Sequence, residues 1–432
     1  MYIIYEIREL NHHNNDMQYI IKAPHHINTN IKLPASKSIS NRALIIYAQT
    51  GGTVVPQNLS DCDDTEVIIN ALRDMPEVID IKAGGTAMRF MTAYLATLKG
   101  HEHVITGTER MQHRPISVLV NALRYLGADI EYVNEEGFPP LRIRGNELEG
   151  GEVEMLGSVS SQFISALLLI GPNLRHGLEL KLKGDIISRP YIDLTLWMMN
   201  EFGADANWTA SDTVTVKPQP YKQRDYLIEN DWSAASYWYE AMALSSSLDS
   251  EITLSGLMDG SMQGDSVVRY LYTMLGVKTT FESKEQGVPT TITLKKNRRV
   301  VPRLDYDFVN SPDLAQAVIA SCCALGIPFH FKGLSTLKIK ETDRIAALKT
   351  ELRKLGFVVK DQNGGELIWD GERCTPSMEA IDTYEDHRMA MSFAPLALVF
   401  GEIAINDPEV VTKSYPNYWN NMIAAGFEIT EI

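Results

Sequence analysis

One recurring pattern limits the possible folds of this chain more than any single residue does. An amphipathic helical stretch ends at a glycine, and a short alternating, strand-like run follows. It occurs in ALRYLGADIEYV around Gly127, MMNEFGADANW around Gly203, LYTMLGVKTTF around Gly276, ELRKLGFVVK around Gly356 and MIAAGFEITEI around Gly426. By their numbers, successive glycines lie 76, 73, 80 and 70 residues apart. Each suits the left-handed position that ends a helix before a strand. A weaker sixth copy, ALRDMPEVIDIK, carries Pro76 near the glycine's place. Units of this length exceed solenoid repeats, so they read as six α/β modules. A chain of 432 residues exceeds what one hydrophobic core usually serves, and three modules per domain divide it near its middle. The turn-rich, charged segment from Gln219 to Asn230 is the expected crossing point, with Lys32 to Pro34 as a second hinge strand. The expected domains are residues 35–228, and residues 1–34 together with 229–432.

Several modules open with a cation at a probable helix start. In Pro34-Ala35-Ser36-Lys37-Ser38-Ile39-Ser40-Asn41-Arg42, Lys37 sits between serines just before an apolar run. A helix N-terminus is already positive and has unpaired N–H groups, so a cation there is unfavourable unless an anion joins it. Lys37 then supplies a point charge and Arg42 a planar fork for a phosphate or carboxylate. Gly84-Gly85-Thr86-Ala87-Met88-Arg89 opens another helix with glycines that let backbone N–H groups approach a ligand. Ser160, Ser161 and Gln162 precede a third, and Ser311-Pro312-Asp313 carries a helix-start signature. Lys340-Glu341-Thr342-Asp343-Arg344 and Asp386-His387-Arg388 repeat a guanidinium close to a helix start. Alone, Lys37 or Lys413 reads as a solvated charge, the serine run as a cap, and His387 as a supporting or capping group. Together they favour convergence on strongly anionic ligands.

Overall charge sharpens that reading. With 40 Lys+Arg against 55 Asp+Glu, the net charge of −15 repels nucleic acid and acidic membranes, so basic clusters must be local. The expected partners are therefore small molecules, with no nucleic acid or membrane partner. Four cysteines are too few for a disulfide scaffold, and Cys62 and Cys374 lack metal-ligand spacing, which fits a reducing cytoplasm. No signal peptide or transmembrane span is expected: the apolar stretch from Ser161 to Leu174 is broken by Gln162, Gly171 and Pro172.

The strings PASKSISNRA, AGGTAMRF, ERMQHRPI, SVSSQF, SRPYID, KETDRI and DHRMAM, in this order, resemble those of the 5-enolpyruvylshikimate-3-phosphate synthase family of enolpyruvyl transferases. The resemblance spans about Pro34 to Lys413. It implies an α/β (α+β) fold: two inside-out, barrel-like domains, each of three βαβαββ-type units, joined by a two-strand hinge and closing over substrate. It also implies transfer of the enolpyruvyl group of phosphoenolpyruvate to the 5-hydroxyl of shikimate 3-phosphate, through a tetrahedral ketal. A monomer is expected, with no cofactor and no metal. A C–O bond breaks in this reaction rather than P–O, and no Walker-type loop or metal-ligand cluster is present in the sequence.

Roles follow from the resemblance position by position. Lys37 corresponds to a lysine shared by both substrates, and Ser38 and Arg42 to shikimate-phosphate ligands. Ser160, Ser161 and Ser188 match the 3-phosphate site, with Tyr191 in the same motif as Ser188 and Gln162 between ring and phosphoenolpyruvate. Gly85, Arg114, Arg344, Arg388 and Lys413 match the phosphoenolpyruvate pocket. Asp313 and Lys340 match residues near the reacting hydroxyl, as general base and polarising cation, and Glu341 the carboxylate that gives a proton to carbon and takes it back. Arg89 matches a motif but reads as structural. Three positions depart from the pattern: Ala83 and Thr336 stand where asparagines are usual, Thr336 on the shikimate side, and Phe90 stands where proline is common. Two alternatives remain open. One is the related UDP-N-acetylglucosamine enolpyruvyl transferase, which usually relies on a loop cysteine; this chain has none between Cys62 and Cys322. The other is a catalytically silent binder of anionic metabolites, which has no need of Asp313, Lys340 and Glu341.

Overall fold

The computed structural model describes residues 17–432 apart from Lys284. Residues 1–16, the start of the second expected domain, lie outside the described residues. Four four-stranded sheets share one order, two parallel strands followed by an antiparallel hairpin. In one, Val78–Asp80 pairs parallel with Glu102–Thr106 across the helix Gly85–Ala96. The helix Ser117–Tyr125 then leads into the strands Asp129–Tyr132 and Leu141–Arg144, which fold back antiparallel. The same βαβαββ order builds the sheets that begin with Gly151–Leu156, with Leu304–Asp307 and with Asn28–Lys32. In the last, the whole of residues 33–250 intervenes between the two parallel strands.

A fifth, three-stranded sheet places Gln18–Lys22 between Glu402–Asn406 and Glu428–Glu431, so a strand from the beginning of the chain completes the final module. The sixth unit is reduced to the helices Lys37–Gln49 and Asp63–Asp74 and a single bridge, Gln57 to Leu227. Gly127, Gly203, Gly276, Gly356 and Gly426 all have positive φ, between 82° and 102°. In the sixth copy the left-handed helix end falls on Met75, φ 38°, rather than on a glycine.

The apolar helices lie inside and the sheets outside. Every residue from Phe163 to Ile170 is buried in the helix Ser161–Ile170, as is every residue of Trp232–Leu244 except Ser233. A helix that is apolar all round has no face to offer water and is driven to the centre. Strands such as Leu178–Lys183 alternate instead, one face inward and one in solvent.

Buried apolar side chains form two separate cores. One runs from Ala35 to Ile228; the other takes Ile21 to Leu33 and Trp232 to Phe427. Where the chain crosses between them, two segments lie antiparallel, with Ser36 N–H donating to the Glu229 carbonyl at 2.9 Å and Asp231 N–H to Pro34 at 2.9 Å. The cleft between the two bodies lies beside this pair. Among the described residues, no helix is long and apolar enough to cross a membrane.

Candidate active site

Helix starts from both bodies meet at one cavity of about 90 Å³. From the first body come Lys37, Ser38 and Arg42 of the helix capped by Ser36, and Gly85 and Thr86 of the helix that begins at Gly85. Arg114, Ser160, Ser161 and Gln162, with Ser188 and Tyr191, complete that wall. The second body contributes Asp313, Lys340, Glu341, Arg344, His387 and Arg388.

The local reasons differ. Ser160 caps its helix by accepting Gln162 N–H at 3.4 Å, and the Gln162 amide then donates to Thr86 at 3.1 Å, tying two helix starts together. Ser188 holds φ 53°, and its N–H reaches the Val309 carbonyl of the other body at 3.0 Å. Gly85 leaves room for the Arg114 guanidinium: a Cβ there would lie 2.7 Å from its Nη1. Asp313 lies in the 3₁₀ turn Pro312–Leu314, and the Ser311 hydroxyl, expected as its cap, makes no hydrogen bond.

Charge on the second-body wall is compensated within the wall. Arg344 is the hub: its guanidinium holds Asp386 at 2.6 and 3.2 Å, Asp313 at 3.1 Å and Glu341 at 2.8 Å. Arg388 holds the other Asp313 oxygen at 3.0 Å and donates to the Tyr237 hydroxyl at 3.2 Å. Lys340 lies 3.6 Å from Asp313, and Lys413, behind the cavity wall, 3.2 Å from Glu341. Burial alone would push both carboxyls up. For Asp313, Arg388, Lys340 and Arg344 more than reverse that and hold it well below the usual carboxylate range; for Glu341, Lys413, Arg344 and Arg114 do the same. Asp386 also caps the helix His387–Phe393, so a single carboxylate fixes that helix start and orients Arg344.

On the first-body wall the cations have fewer carboxylates. Lys37 pairs with Asp64 at 3.0 Å; burial opposes its charge, but Asp64 more than offsets this and raises its pKa. Arg42 is buried among neutral acceptors, Thr195 at 2.7 Å, the Ser38 carbonyl at 2.9 Å and Ser165 at 3.1 Å, and burial pushes it down to about 10. Arg89 lies beneath the cavity and does not line it. It donates to the Gly85 carbonyl at 3.0 Å, and burial and Arg114 push it down to about 9. Thr336 also stays off the cavity wall, in the 3₁₀ turn Ser335–Ile339, with its hydroxyl unpartnered.

Three cavity residues were not among the sequence candidates: Asp64, Thr86 and His387. Asp64 reads in sequence as an ordinary first-turn acid, and only its approach to Lys37 separates it from its neighbour Asp63. Burial, with Lys37 and Arg388 close by, holds the His387 imidazole far below its ordinary pKa, so it is neutral. Among the described residues no group of His, Cys, Asp and Glu could hold a metal ion.

Repeated α/β modules around a cleft of cations and ionised carboxylates define the class, an enzyme cleft for small anions. The chain belongs to the EPSP synthase (3-phosphoshikimate 1-carboxyvinyltransferase) family, whose model matches residues 21–81 and 74–422. A 3-phosphoshikimate 1-carboxyvinyltransferase of Bacteroides fragilis is 57% identical over 414 residues, 96% of this chain and 99% of that protein. That of Photobacterium profundum is 36% identical over 424 residues, 92% of this chain and 96% of that protein. The solved EPSP synthase of Acinetobacter baumannii, 22% identical, shares the fold with a TM-score of 0.77, covering 96% of this chain and all of that one.

Proposed function

We propose that the chain transfers the enolpyruvyl group of phosphoenolpyruvate to the 5-hydroxyl of shikimate 3-phosphate and releases phosphate. The observation that carries this reading is the Arg344 hub, which places Asp313 and Glu341 on one guanidinium at the mouth of a cationic cavity. In the proposed scheme Ser160, Ser161, Ser188 and Arg42 take the 3-phosphate, with Ser38, Tyr191 and Gln162 around the ring. Arg114, Arg344, Arg388 and Lys413 take phosphoenolpyruvate beside Gly85, and Lys37 bridges the two substrates.

Asp313 accepts the proton of the 5-hydroxyl, polarised by Lys340, as that oxygen attacks C2 of phosphoenolpyruvate. Glu341 gives a proton to the methylene carbon, and the tetrahedral ketal phosphate forms. Glu341 then takes a proton back from the new methyl group as the C–O bond to phosphate breaks, which restores the enol ether. The field around these carboxylates adds a condition. Glu341 cannot donate while Lys413, Arg344 and Arg114 hold it ionised. When the carboxylate and phosphate of phosphoenolpyruvate occupy those cations, the field on Glu341 falls and its pKa rises into a working range. Substrate binding thus arms the acid.

The same proposal takes residues 35–228, and residues up to 34 with 229–432, as two domains that close about the paired crossing segments, excluding water. A reducing cytoplasm fits the four free thiols. The test is to incubate the purified full chain with both substrates and follow inorganic phosphate. Release that needs both substrates together is expected; binding without release would leave a silent binder.

A further inference from the structure

Asp265 belongs to none of the roles above, yet the fold carries it against Tyr191, which lines the cavity. It lies in the 3₁₀ turn Gly264–Val267 of the second body and is only 2% exposed. Its two oxygens face the Tyr191 hydroxyl of the first body at 3.4 and 3.5 Å, long contacts with room to tighten. Ser233 donates a short hydrogen bond to the same carboxylate, and Ser233 is itself held by the capping Asp231 at 2.7 Å.

The turn is anchored to the crossing segments. Gln263 donates to the Asn230 carbonyl at 2.8 Å and to Glu229 at 2.9 Å. Glu229 further accepts the Trp232 indole at 2.7 Å, Met258 N–H at 2.8 Å and the Ser261 hydroxyl at 2.6 Å. At Gly264 the bodies press together, since a Cβ there would lie 2.7 Å from Cβ of Pro190, the neighbour of Tyr191. Asp265 is therefore set by the hinge and aimed at a cavity-lining residue of the opposite body.

We propose that Asp265 is a positioning residue for the reaction: across the cleft its ionised carboxylate accepts the Tyr191 hydroxyl, and so fixes that ring against the bound shikimate phosphate when the two bodies meet. The proposal rests on the functional reading above and extends it. Tyr191 suits the donor's part, because burial and Asp265 push its phenol well above the ordinary value and keep it protonated. The charged groups facing Asp265 are Asp313, Arg388 and Asp231. Burial and Asp313 push its carboxyl up to about 6, against Arg388 and Ser233, so it loses its charge just below neutral pH.

A double-mutant cycle tests this. Tyr191→Phe and Asp265→Asn are each expected to raise KM and Kd for shikimate 3-phosphate about tenfold, with kcat changed far less. The double variant should be no weaker than about twofold below either single one, because both remove the same contact. The ratio of variant to parent KM should shrink towards one as pH falls through about 6, a comparison in which protonation of the substrate's own phosphate near the same pH cancels. Multiplicative effects in the double variant, or a variant-to-parent ratio that does not change with pH, overturn the proposal. Should Asp265→Asn fail to fold, the pH profile of Tyr191→Phe alone decides. Affinity for shikimate 3-phosphate by calorimetry needs no turnover. A parent protein that binds it but releases no phosphate overturns the functional reading, whereas the Kd cycle still decides whether Asp265 fixes Tyr191 against the ligand.

Discussion

The two walls of the cavity balance charge in opposite ways. The first body brings Arg42 among neutral oxygens, with hydroxyls and N–H groups from three helix starts. The second has already paired its cations: Arg344, Arg388, Lys340 and Lys413 all hold Asp313 or Glu341. In the proposed scheme the first wall is thus a receptor, ready for an anion at little reorganisation beyond the Lys37–Asp64 pair. In that scheme the second is an apparatus whose carboxylates must be released before they can move protons, and the incoming anion does the releasing. A buried cation can be satisfied by neutral dipoles or by a carboxylate, and only the second choice yields an acid whose strength depends on what else is bound.

The largest expected effect breaks the second wall chemically. Glu341→Gln keeps the size and one accepting oxygen but cannot deliver a proton, so kcat should fall by roughly 10²–10⁴ while shikimate 3-phosphate binding by calorimetry stays near normal. Near-normal turnover would remove Glu341 from its role. Next is the hub. Arg344→Ala leaves the buried Asp386 without its cation, while Asp313 keeps Arg388 and Lys340 and Glu341 keeps Lys413, and it should cost about 3–5 kcal/mol in denaturant unfolding.

On the receptor wall the effects should be smaller and confined to binding. Gly85→Ala forces Arg114 aside and should raise KM for phosphoenolpyruvate about tenfold, leaving that for shikimate 3-phosphate within about twofold. If both rise together, the two ligand regions are not separable as described. The smallest effect concerns stability against pH. Asp265 titrates near 6 when folded, above its unfolded value, so the folded state binds more protons in the window between them. Stability contributed by this group is therefore present at acid pH and lost as pH rises through about 6. Asp265→Asn should raise the Tm at pH 7.5 relative to the parent, with the gain shrinking below pH 5. A gain that persists at low pH would contradict the assignment.

Local chemistry made much of this legible. The five glycines that close helices before strands marked the modules because a left-handed residue there strongly favours glycine, and the helix starts at Lys37, Gly85 and Ser161 followed from their caps and breakers. The sixth copy was faint because Met75 takes the left-handed turn without a glycine to announce it. Tyr384 and Glu385, both at φ 55° just before Asp386, gave no signal either. Their conformation costs about 1–2 kcal/mol each and persists because partners hold it: the Tyr384 hydroxyl donates to Glu351 at 2.6 Å, and Arg110 of the first body pairs with Glu385 at 2.8 Å.

What the amino-acid sequence determined by itself was the repeated unit, the order of its elements and the set of charged residues at helix starts, since periodicity, caps and turns act within a few residues. Which cation would face which carboxylate was decided only in three dimensions. Lys37 meets Asp64 27 residues away, Arg388 meets Asp313 75 residues away, and Tyr191 meets Asp265 across the cleft. Those pairings depend on how two separately cored bodies rest against each other, and a buried charge takes its pKa from the neighbours that packing brings to it.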